Sequence, residues 1–192
     1  MSYGTKVELI ASTPDAEHLI EKAGRLCYAT DDKTGMSPGW LQKRIADGHL
    51  SLVEHAHTTW HITCSRVTSH QLVRHRIASY SQRSQRYVKE SEPRYIIPPQ
   101  LSGALETVFR DAMKAAWYTY ETLLLNGVPP DQARYVLPNA TETQLIMTMN
   151  FRELHHFLSL RTSSKASEEM QEVANSIKRI CQEMWPNVFG SE

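Results

Sequence analysis

The sequence predicts an α+β fold in which a mixed or antiparallel sheet is flanked by helices. Segments that alternate apolar and polar residues, as strands do, occur beside segments whose apolar residues recur at helical spacing. These segments do not follow one another as regular β-α-β units, which argues against a parallel sheet. With 192 residues, 41% of them apolar, the chain is long enough for a sizeable core, so we expect residues 1–192 to form a single domain.

The first half of the chain is predicted to contain two strands and three helices. The strands are expected at Lys6–Ser12 and at residues 58–63. The helices are expected at residues 14–28, at Trp40–Ala46 and at residues 68–76. Pro14 and Asp15 can open the first helix, and a loop at residues 31–38 separates the first helix from the second.

A long helix predicted at residues 102–126 is the clearest element of the second half. Ser102 can cap its N-terminus, and Asn126-Gly127 followed by Pro129-Pro130 ends it. Its apolar stripe is expected to comprise Leu105, Phe109, Ala112, Ala116, Leu123 and Leu124.

A strand at residues 141–149 and a helix at residues 150–161 are predicted next. Asn150 and Glu153 have the spacing of an N-cap pair, which is a sufficient structural explanation for both. The helix places Arg152 and His156 on one face, opposite an apolar stripe that comprises Phe151, Leu154, Phe157 and Leu158. Ser167 is expected to cap the last helix.

Composition excludes several classes of protein. Lys plus Arg and Asp plus Glu number 21 each, which argues against a general nucleic-acid coat or a membrane-surface binder. The sequence has no long apolar run and no apolar signal core near its start, so we expect neither a membrane span nor secretion. Cys27, Cys64 and Cys181 are widely spaced and odd in number, which indicates free thiols and a cytoplasmic location.

The segment RHRIASYSQRSQRY, residues 74–87, is the most informative part of the sequence. No Asp or Glu occurs between Glu54 and Glu90. Guanidinium groups bind phosphate through paired charge-assisted hydrogen bonds, and the serines and glutamines add neutral donors. The segment therefore predicts an anion site, with five cationic or imidazole side chains: Arg74, His75, Arg76, Arg83 and Arg86.

Other interpretations of these residues stay open on the sequence alone. The glycines form neither a dinucleotide-binding fingerprint nor a P-loop, so phosphates would have to be held by side chains. The basic segment is also consistent with a solvated loop or with arginines that pair with acids elsewhere. A nucleic-acid contact in which Tyr80 and Tyr87 stack on bases is a third interpretation, although the sequence offers no second basic stripe to support it. His55 and His57 would face the same side of a strand, as in some metal sites, but without cysteines at ligand spacing we expect no metal.

Arg134, Arg152 and Arg161 form a further group close to the predicted core. Each has a structural explanation by itself; Arg161, for example, complements a helix dipole. Three arginines together near a core are unusual without an anionic ligand, so the group supports the anion site.

The order of these motifs resembles the flavin-dependent thymidylate synthases, the ThyX family. Its arginine-rich signature is matched in register by Arg74, His75, Arg76, Ser79, Ser84 and Arg86. The resemblance extends upstream to GHLSLVEH at residues 48–55, and downstream to ARYVLP, to the Asn150-Phe151-Arg152 turn and to LSLR ending at Arg161.

This resemblance implies conversion of dUMP to dTMP. The one-carbon donor would be 5,10-methylenetetrahydrofolate, released as tetrahydrofolate, and FAD reduced by NADPH would supply the hydride. It also implies a homotetramer whose sites are shared between subunits, with no nucleic-acid or membrane partner.

The resemblance also assigns residues position by position. The dUMP side would comprise Gln71, Arg74, Gln82, Ser84, Arg86, Arg134 and Arg161. The FAD side would comprise His49, Ser51, Arg74, His75, Arg76, Gln82, Asn150, Arg152 and His156. Arg161 and Ser84 are the catalytic candidates. Arg161 would hold the pyrimidine ring, and Ser84 would position and polarise the uracil, because a serine without an evident base is a poor nucleophile.

Four positions depart from the family pattern. Ser81-Gln82 stands where many members have Asn-Glu, so a carboxylate is replaced by a neutral hydrogen-bonding group. His156 stands where others have Asn, and Lys165 replaces a histidine found in some members.

Three alternatives belong to other classes. They are a nucleic-acid-binding module built on residues 74–86, a metal-dependent hydrolase that uses the histidines, and a cysteine-dependent thymidylate synthase. The last needs an activated thiol, for which no supporting motif is present.

Overall fold

The computed structural model describes residues 3–37 and 39–190 and contains one four-stranded sheet. The strands are β1 (Lys6–Ser12), β2 (His57–Ser65), β3 (Ser79–Gln82) and β4 (Glu142–Asn150). Their order in the sheet is β1-β2-β4-β3, and every pairing is antiparallel. The predicted α+β class is confirmed, in its antiparallel form.

Helices and short 3₁₀ turns connect the strands. The helices are α1 (Ala16–Leu26), α2 (Trp40–Ala46), α3 (Arg66–Leu72), α4 (Ala104–Leu125), α5 (Pro130–Ala133), α6 (Phe151–Arg161), α7 (Glu168–Met184) and α8 (Pro186–Phe189). The 3₁₀ turns lie at Asp31–Lys33, Leu50–His55 and Arg134–Val136. Within the described parts of the chain, no helix has the length and hydropathy that a membrane crossing requires.

The core lies between one face of the sheet and the helices α1, α6 and α7. Alternate residues of β4 are buried, and across the central pair Trp60 faces Met147 while Ile62 faces Leu145. Phe151, Leu154, Phe157 and Leu158 of α6 are buried, as their spacing predicted. Since α6 follows β4 directly, the central strand and the core helix fix each other's position.

The element boundaries agree with the sequence at some places and differ at others. Lys6–Ser12 and Trp40–Ala46 were predicted with their observed bounds. The helix expected at 68–76 instead covers Arg66–Leu72, so His75 and Arg76 lie beyond its end. The loop expected at 31–38 contains a 3₁₀ turn, and Pro38 lies outside the described residues.

The apolar stripe predicted for α4 was partly wrong. Leu105 is 63% exposed, and the buried positions are Met113, Trp117 and Tyr120. The helix packs through its middle, whereas Leu105 and Val108 near its start are exposed. Its N-cap residue is Gly103 rather than Ser102, without a side-chain cap.

Two predicted N-caps had different outcomes. Asn150 Oδ1 accepts a hydrogen bond from the backbone N–H of Glu153 (2.9 Å), which confirms the cap of α6. Ser167 occupies the N-cap position of α7 but makes no cap hydrogen bond. Its hydroxyl instead accepts a hydrogen bond from Gln71 Nε2 (3.2 Å), so it links α7 to α3.

The N-cap that sequence inspection missed is Ser65, at the start of α3. Its Oγ accepts from the Thr68 N–H (3.1 Å), and it donates to the buried carboxylate of Glu169 (2.5 Å). The Ser65 N–H also donates to Glu169 (2.7 Å). One side chain thus caps α3 and ties it to α7.

Replacing Ser65 with Ala should lower the free energy of unfolding by about 1–3 kcal/mol, because a helix cap is lost and a buried carboxylate loses a donor. Urea unfolding followed by circular dichroism measures the difference. Ser167→Ala is the matched control, since exposed Ser167 stands at an N-cap position without capping. The control should change stability by no more than about 0.5 kcal/mol. Equal effects of the two substitutions would contradict this account of the cap.

Candidate active site

The basic segment of residues 74–87 lies beside α6 because of the strand order. After α3 the chain turns through Arg74, His75 and Arg76 and returns as the edge strand β3, which pairs with β4. Because β4 runs directly into α6, the turn meets the α6 side chains. Arg74 and Arg76 are exposed, whereas His75 between them is buried.

His75 is held between a carboxylate and a guanidinium, both from α6. Its Nδ1 lies 3.1 Å from Glu153 Oε1, and its Nε2 accepts a hydrogen bond from Arg161 Nε (3.0 Å). A guanidinium can only donate, so Nε2 must be unprotonated and the ring proton must lie on Nδ1. Arg161 Nη2 also donates to the Gln71 carbonyl (3.4 Å), which joins the end of α3 to the same cluster.

The surroundings of His75 keep its imidazole neutral. Burial lowers the pKa of His75, and the positive charge of Arg161 lowers it further, while the hydrogen bond to Glu153 opposes both effects. The turn around the ring is braced by Tyr80, whose hydroxyl donates to the carbonyl of Leu72 (2.8 Å) or of His75 (3.0 Å). Burial raises the pKa of Tyr80 to about 12, so this phenol remains protonated and able to donate.

A cleft of about 730 Å³ opens beside this cluster. It is lined by Leu50, Glu54, Ile77, Asn150, Arg152, Glu153, His155, His156 and Ser159. Arg152 pairs with Glu54 across the cleft, and the His156 ring centroid lies 6.0 Å from that of His75. A volume of this size suits a large organic ligand.

The structure brings together most of the residues expected on the FAD side. Asn150, Arg152 and His156 line the cleft, and buried His75 contacts two of its wall residues, Glu153 and His156. His49 and Ser51 flank Leu50 at the start of a 3₁₀ turn on the cleft's border. Gln82 is not among the residues that line the cleft. Its side-chain amide donates instead to Ser69 Oγ (3.0 Å) and to Thr143 Oγ1 (3.1 Å).

The residues expected on the dUMP side fall into two groups. Gln71 and Arg161 belong to the His75 cluster. Ser84, Arg86 and Arg134 bond instead to their own neighbours: Ser84 Oγ accepts from the Arg86 N–H (3.2 Å), and Arg134 Nε donates to the Asp131 carbonyl (3.1 Å). The bond to Ser84 is a turn contact that does not activate a nucleophile.

Sequence analysis missed two side chains, one in the His75 cluster and one at the start of α3. Glu153 was explained as part of an N-cap pair, but its carboxylate binds His75 instead. Arg66, the first residue of α3, is half-buried, and its Nη1 has no hydrogen-bond partner among the described residues. The long stretch without carboxylates around Arg66 was the available signal, but the predicted anion site covered only residues 74–87.

Arg66 and Arg134 form a pair of neighbouring cations. Burial lowers the pKa of Arg66 and the nearby charge of Arg134 lowers it further, while Glu90 has the opposite effect. Two neighbouring guanidinium groups, one of which has an unpartnered donor, favour an anionic ligand.

The two buried thiols, Cys64 and Cys181, are unsuited to nucleophilic catalysis. All three cysteines are free, and Cys64 and Cys181 are buried. Burial raises the pKa of each of these two thiols to about 12, so they remain protonated. This agrees with the rejection of a cysteine-dependent synthase.

His75, Glu153 and His156 place one ring or carboxylate atom each within 4.8 Å of one another, a spacing that a cation could use. Arg161 donates to the His75 ring, however, and its charge opposes a cation at this point. The cluster is therefore better suited to hydrogen bonding beside an anion.

Comparison with known proteins gives consistent matches over nearly the whole chain. The family model described as "Thymidylate synthase complementing protein" matches residues 8–187. A flavin-dependent thymidylate synthase of Geobacter sulfurreducens is 43% identical, covering 96% of this chain and 85% of the relative. One from Saccharolobus solfataricus is 39% identical, covering 95% and 75%.

A solved structure also matches the fold. The UMP/dUMP methylase PolB from Streptomyces cacaoi, bound with 5-Br dUMP, superposes with a TM-score of 0.87 at 26% sequence identity. The match covers 98% of this chain and 94% of that one.

Acid should destabilise the protein through its buried histidines. Burial lowers the pKa of His75 and of His155 below their ordinary value of 6.5, so unfolding takes up protons and the free energy of unfolding falls as the pH drops below 6.5. His155→Phe should reduce this slope by up to about 1.4 kcal/mol per pH unit, because one proton uptake is removed. Urea unfolding between pH 7.5 and 5 measures the slope.

His18→Phe, at an exposed histidine of α1, is the control and should keep the wild-type slope. An unchanged slope in His155→Phe would refute the assignment. Stability at neutral pH should not fall in that variant, since His155 Nε2 is buried without a partner among the described residues, and its ring already stacks on Phe189 at 4.4 Å.

Proposed function

This chain belongs to the flavin-dependent thymidylate synthases, and we propose that it converts dUMP to dTMP at the His75–Arg161 cluster and the adjoining cleft. The one-carbon donor is 5,10-methylenetetrahydrofolate, tetrahydrofolate is released, and the hydride comes from FAD that NADPH has reduced. One observation of this structure carries the proposal: a guanidinium, Arg161, is fixed by a buried histidine beside a cleft of about 730 Å³.

The cleft fits FAD in size and chemistry. Ligand pockets of this kind are typically about 300–1,000 Å³, and Asn150, Arg152 and His156 supply hydrogen-bonding groups and positive charge along the wall. Arg152 is already held by Glu54, so its guanidinium is oriented before any ligand arrives. When bound there, FAD supplies the hydride that completes the new methyl group.

Arg161 is the group that we expect to stabilise the reaction on the pyrimidine. For C5 of uracil to attack the one-carbon unit, the ring must take on enolate-like character, with negative charge on a ring oxygen. A fixed guanidinium aimed at that oxygen stabilises the transition state more than the ground state. Ser84, brought to this site by a second copy of the chain, positions the uracil, and Gln71 and Arg74 complete the nucleotide side of the site.

The 5′-phosphate of dUMP is proposed to bind Arg86 and Arg134, with Arg66 as an additional ligand. Arg66 and Arg134 are neighbouring cations, and Arg66 has an unpartnered buried N–H in the described chain. A phosphate dianion would satisfy both groups.

A homotetramer with shared sites accounts for two features of the single chain. Hydrogen bonds join Gln71, His75 and Arg161, whereas Ser84, Arg86 and Arg134 bond locally, so a second copy would bring the two groups together. Large apolar side chains are also exposed, and they include Leu105, Val108, Tyr118 and Leu125 of α4. The match over residues 8–187 supports a single functional domain, and the free cysteines support a cytoplasmic location.

The alternative of a nucleic-acid-binding module finds no support. The basic segment does not present its side chains as one cationic surface. His75 is buried, Gln82 bonds inward, and Arg83 pairs with Glu90. The named relatives are synthases.

The purified protein should bind FAD and show the two visible bands of an oxidised flavin. NADPH should bleach these bands, faster in the presence of dUMP, and chromatography should detect dTMP once methylenetetrahydrofolate is added. A protein that neither binds FAD nor forms dTMP would refute the proposed function.

Arg161→Ala should lower kcat/KM about 30- to 900-fold, which corresponds to about 2–4 kcal/mol of transition-state stabilisation. Steady-state rates of dTMP formation measure the loss. Arg179→Ala, at an exposed arginine of α7, is the control and should retain wild-type rates. Near wild-type turnover in Arg161→Ala would remove Arg161 from the site.

Arg66→Gln should weaken binding of dUMP about 10- to 100-fold, since a charge-assisted hydrogen bond contributes roughly 1.5–3 kcal/mol. Binding of deoxyuridine, which lacks the phosphate, should change by less than about threefold, because the substitution leaves the pyrimidine contacts in place. Calorimetry on both ligands gives the comparison, and Arg179→Gln is the control. Equal losses for nucleotide and nucleoside would show that Arg66 does not contact the phosphate.

A further inference from the structure

We propose that Glu153 is a positioning residue that fixes the tautomer of His75, so that His75 can orient Arg161 toward the pyrimidine. This inference rests on the proposed function of Arg161. It assigns a role to a side chain that the sequence explained fully as part of a helix cap.

The hydrogen bond between Arg161 and His75 determines which ring nitrogen of His75 carries the proton. A guanidinium carries only donors, so the Nε–H of Arg161 needs an acceptor where it meets His75 Nε2 at 3.0 Å. A neutral imidazole has one acceptor nitrogen and one N–H, and if Nε2 accepts then Nδ1 must donate. In this buried place the donor needs a partner, and Glu153 Oε1 lies 3.1 Å from Nδ1. The carboxylate at one end of the ring therefore selects the tautomer that the arginine needs at the other end.

The position of the Glu153 carboxylate is not explained by helix capping. The cap of α6 uses the backbone N–H of Glu153 and the side chain of Asn150. In a reciprocal capping pair the carboxylate turns back to the N–H of the cap residue, whereas here it binds His75 instead. Glu153 and His75 are each only 6% exposed. A buried carboxylate is costly unless it is hydrogen-bonded, so this contact is the one that keeps Glu153 in place.

Protonation of His75 would undo the arrangement. Both ring nitrogens would then donate, and the Nε2–H would face the Nε–H of Arg161. The groups that face His75 are Glu153, His156, Phe157 and Arg161 of α6, with the Tyr80 hydroxyl on its carbonyl. Of these, Glu153 favours the protonated ring, whereas burial and Arg161 oppose it and lower the pKa of His75. We therefore expect an acid limb in the pH profile of kcat, below pH 6.5.

Two substitutions of Glu153 separate its hydrogen bond from its charge. In Glu153→Gln the amide oxygen can still accept from Nδ1–H, so kcat at neutral pH should stay within about threefold of wild type. Its acid limb should move to lower pH, because the charge that favours protonation is gone. In Glu153→Leu the acceptor is lost, and kcat should fall about 10- to 100-fold, less than for direct loss of a catalytic donor. The KM for dUMP should change by less than about threefold, since Arg161 remains present.

The tautomer can be read without any turnover. Long-range ¹H–¹⁵N correlation spectra of the histidine rings, with His75→Gln to assign the signal, should show wild-type His75 protonated at Nδ1. Glu153→Gln should retain this pattern, and Glu153→Leu should shift the proton toward Nε2. If the wild type formed no dTMP, the proposed function would fail while these spectra still tested the role of Glu153.

Glu169→Leu is the control for loss of a buried carboxylate, since Glu169 is 7% exposed and bonds Ser65 rather than the site. It should lower thermal stability without moving the acid limb or the His75 signal. If Glu153→Leu does not fold, the acid limb and the spectrum of Glu153→Gln still test the role of Glu153. A wild-type ring protonated at Nε2, or an unmoved acid limb in Glu153→Gln, would overturn the proposal.

Discussion

The rest of the site depends on the two hydrogen bonds that the neutral ring of His75 makes, one to Glu153 and one to Arg161. These contacts join three elements: the turn after α3 carries the ring, α6 supplies both partners, and the Gln71 carbonyl at the end of α3 receives the second bond of Arg161. Because the ring is buried, each of its nitrogens must be satisfied, and only one tautomer satisfies both. A single proton position thereby fixes the direction of a guanidinium on the cleft side of the fold.

The sheet makes this contact possible. The turn that carries His75 is held at both ends, by α3, which Ser65 caps and ties to Glu169, and by β3, which pairs with β4. The other partner of the contact, α6, begins where β4 ends, at the Asn150 cap. The turn that carries His75 and helix α6 are therefore both anchored to β4. Strand pairing, rather than a flexible loop, sets the distance between His75 and Arg161.

Sequence reasoning found what depends on local pattern and missed what depends on contacts across the chain. Strand β1, helix α2 and the Asn150 cap follow from alternation, spacing and side-chain type. The α4 stripe was misplaced because periodicity shows which residues share a face but not which turn of the helix meets the core. Ser167 and Glu153 were assigned to caps for the same reason, since each has a suitable local role. Their side chains instead form hydrogen bonds with residues distant in the sequence, Gln71 and His75. No spacing rule within one helix predicts a partner more than seventy residues away in the sequence.

The electrostatic character of the site follows from these contacts. Arg74 and Arg76 flank a ring that stays uncharged, and Glu153, the carboxylate closest to it, is committed to the ring itself. The charge of Arg161 is therefore not neutralised at the ring, because its partner there is the neutral acceptor His75 Nε2. Arg66, the neighbour of Arg134, also has an N–H without a partner in the described chain. A neutral group orients a guanidinium without cancelling its electric field, whereas a carboxylate would neutralise its charge. That property suits an enzyme that must bind a nucleotide phosphate and then stabilise charge that appears only in the transition state.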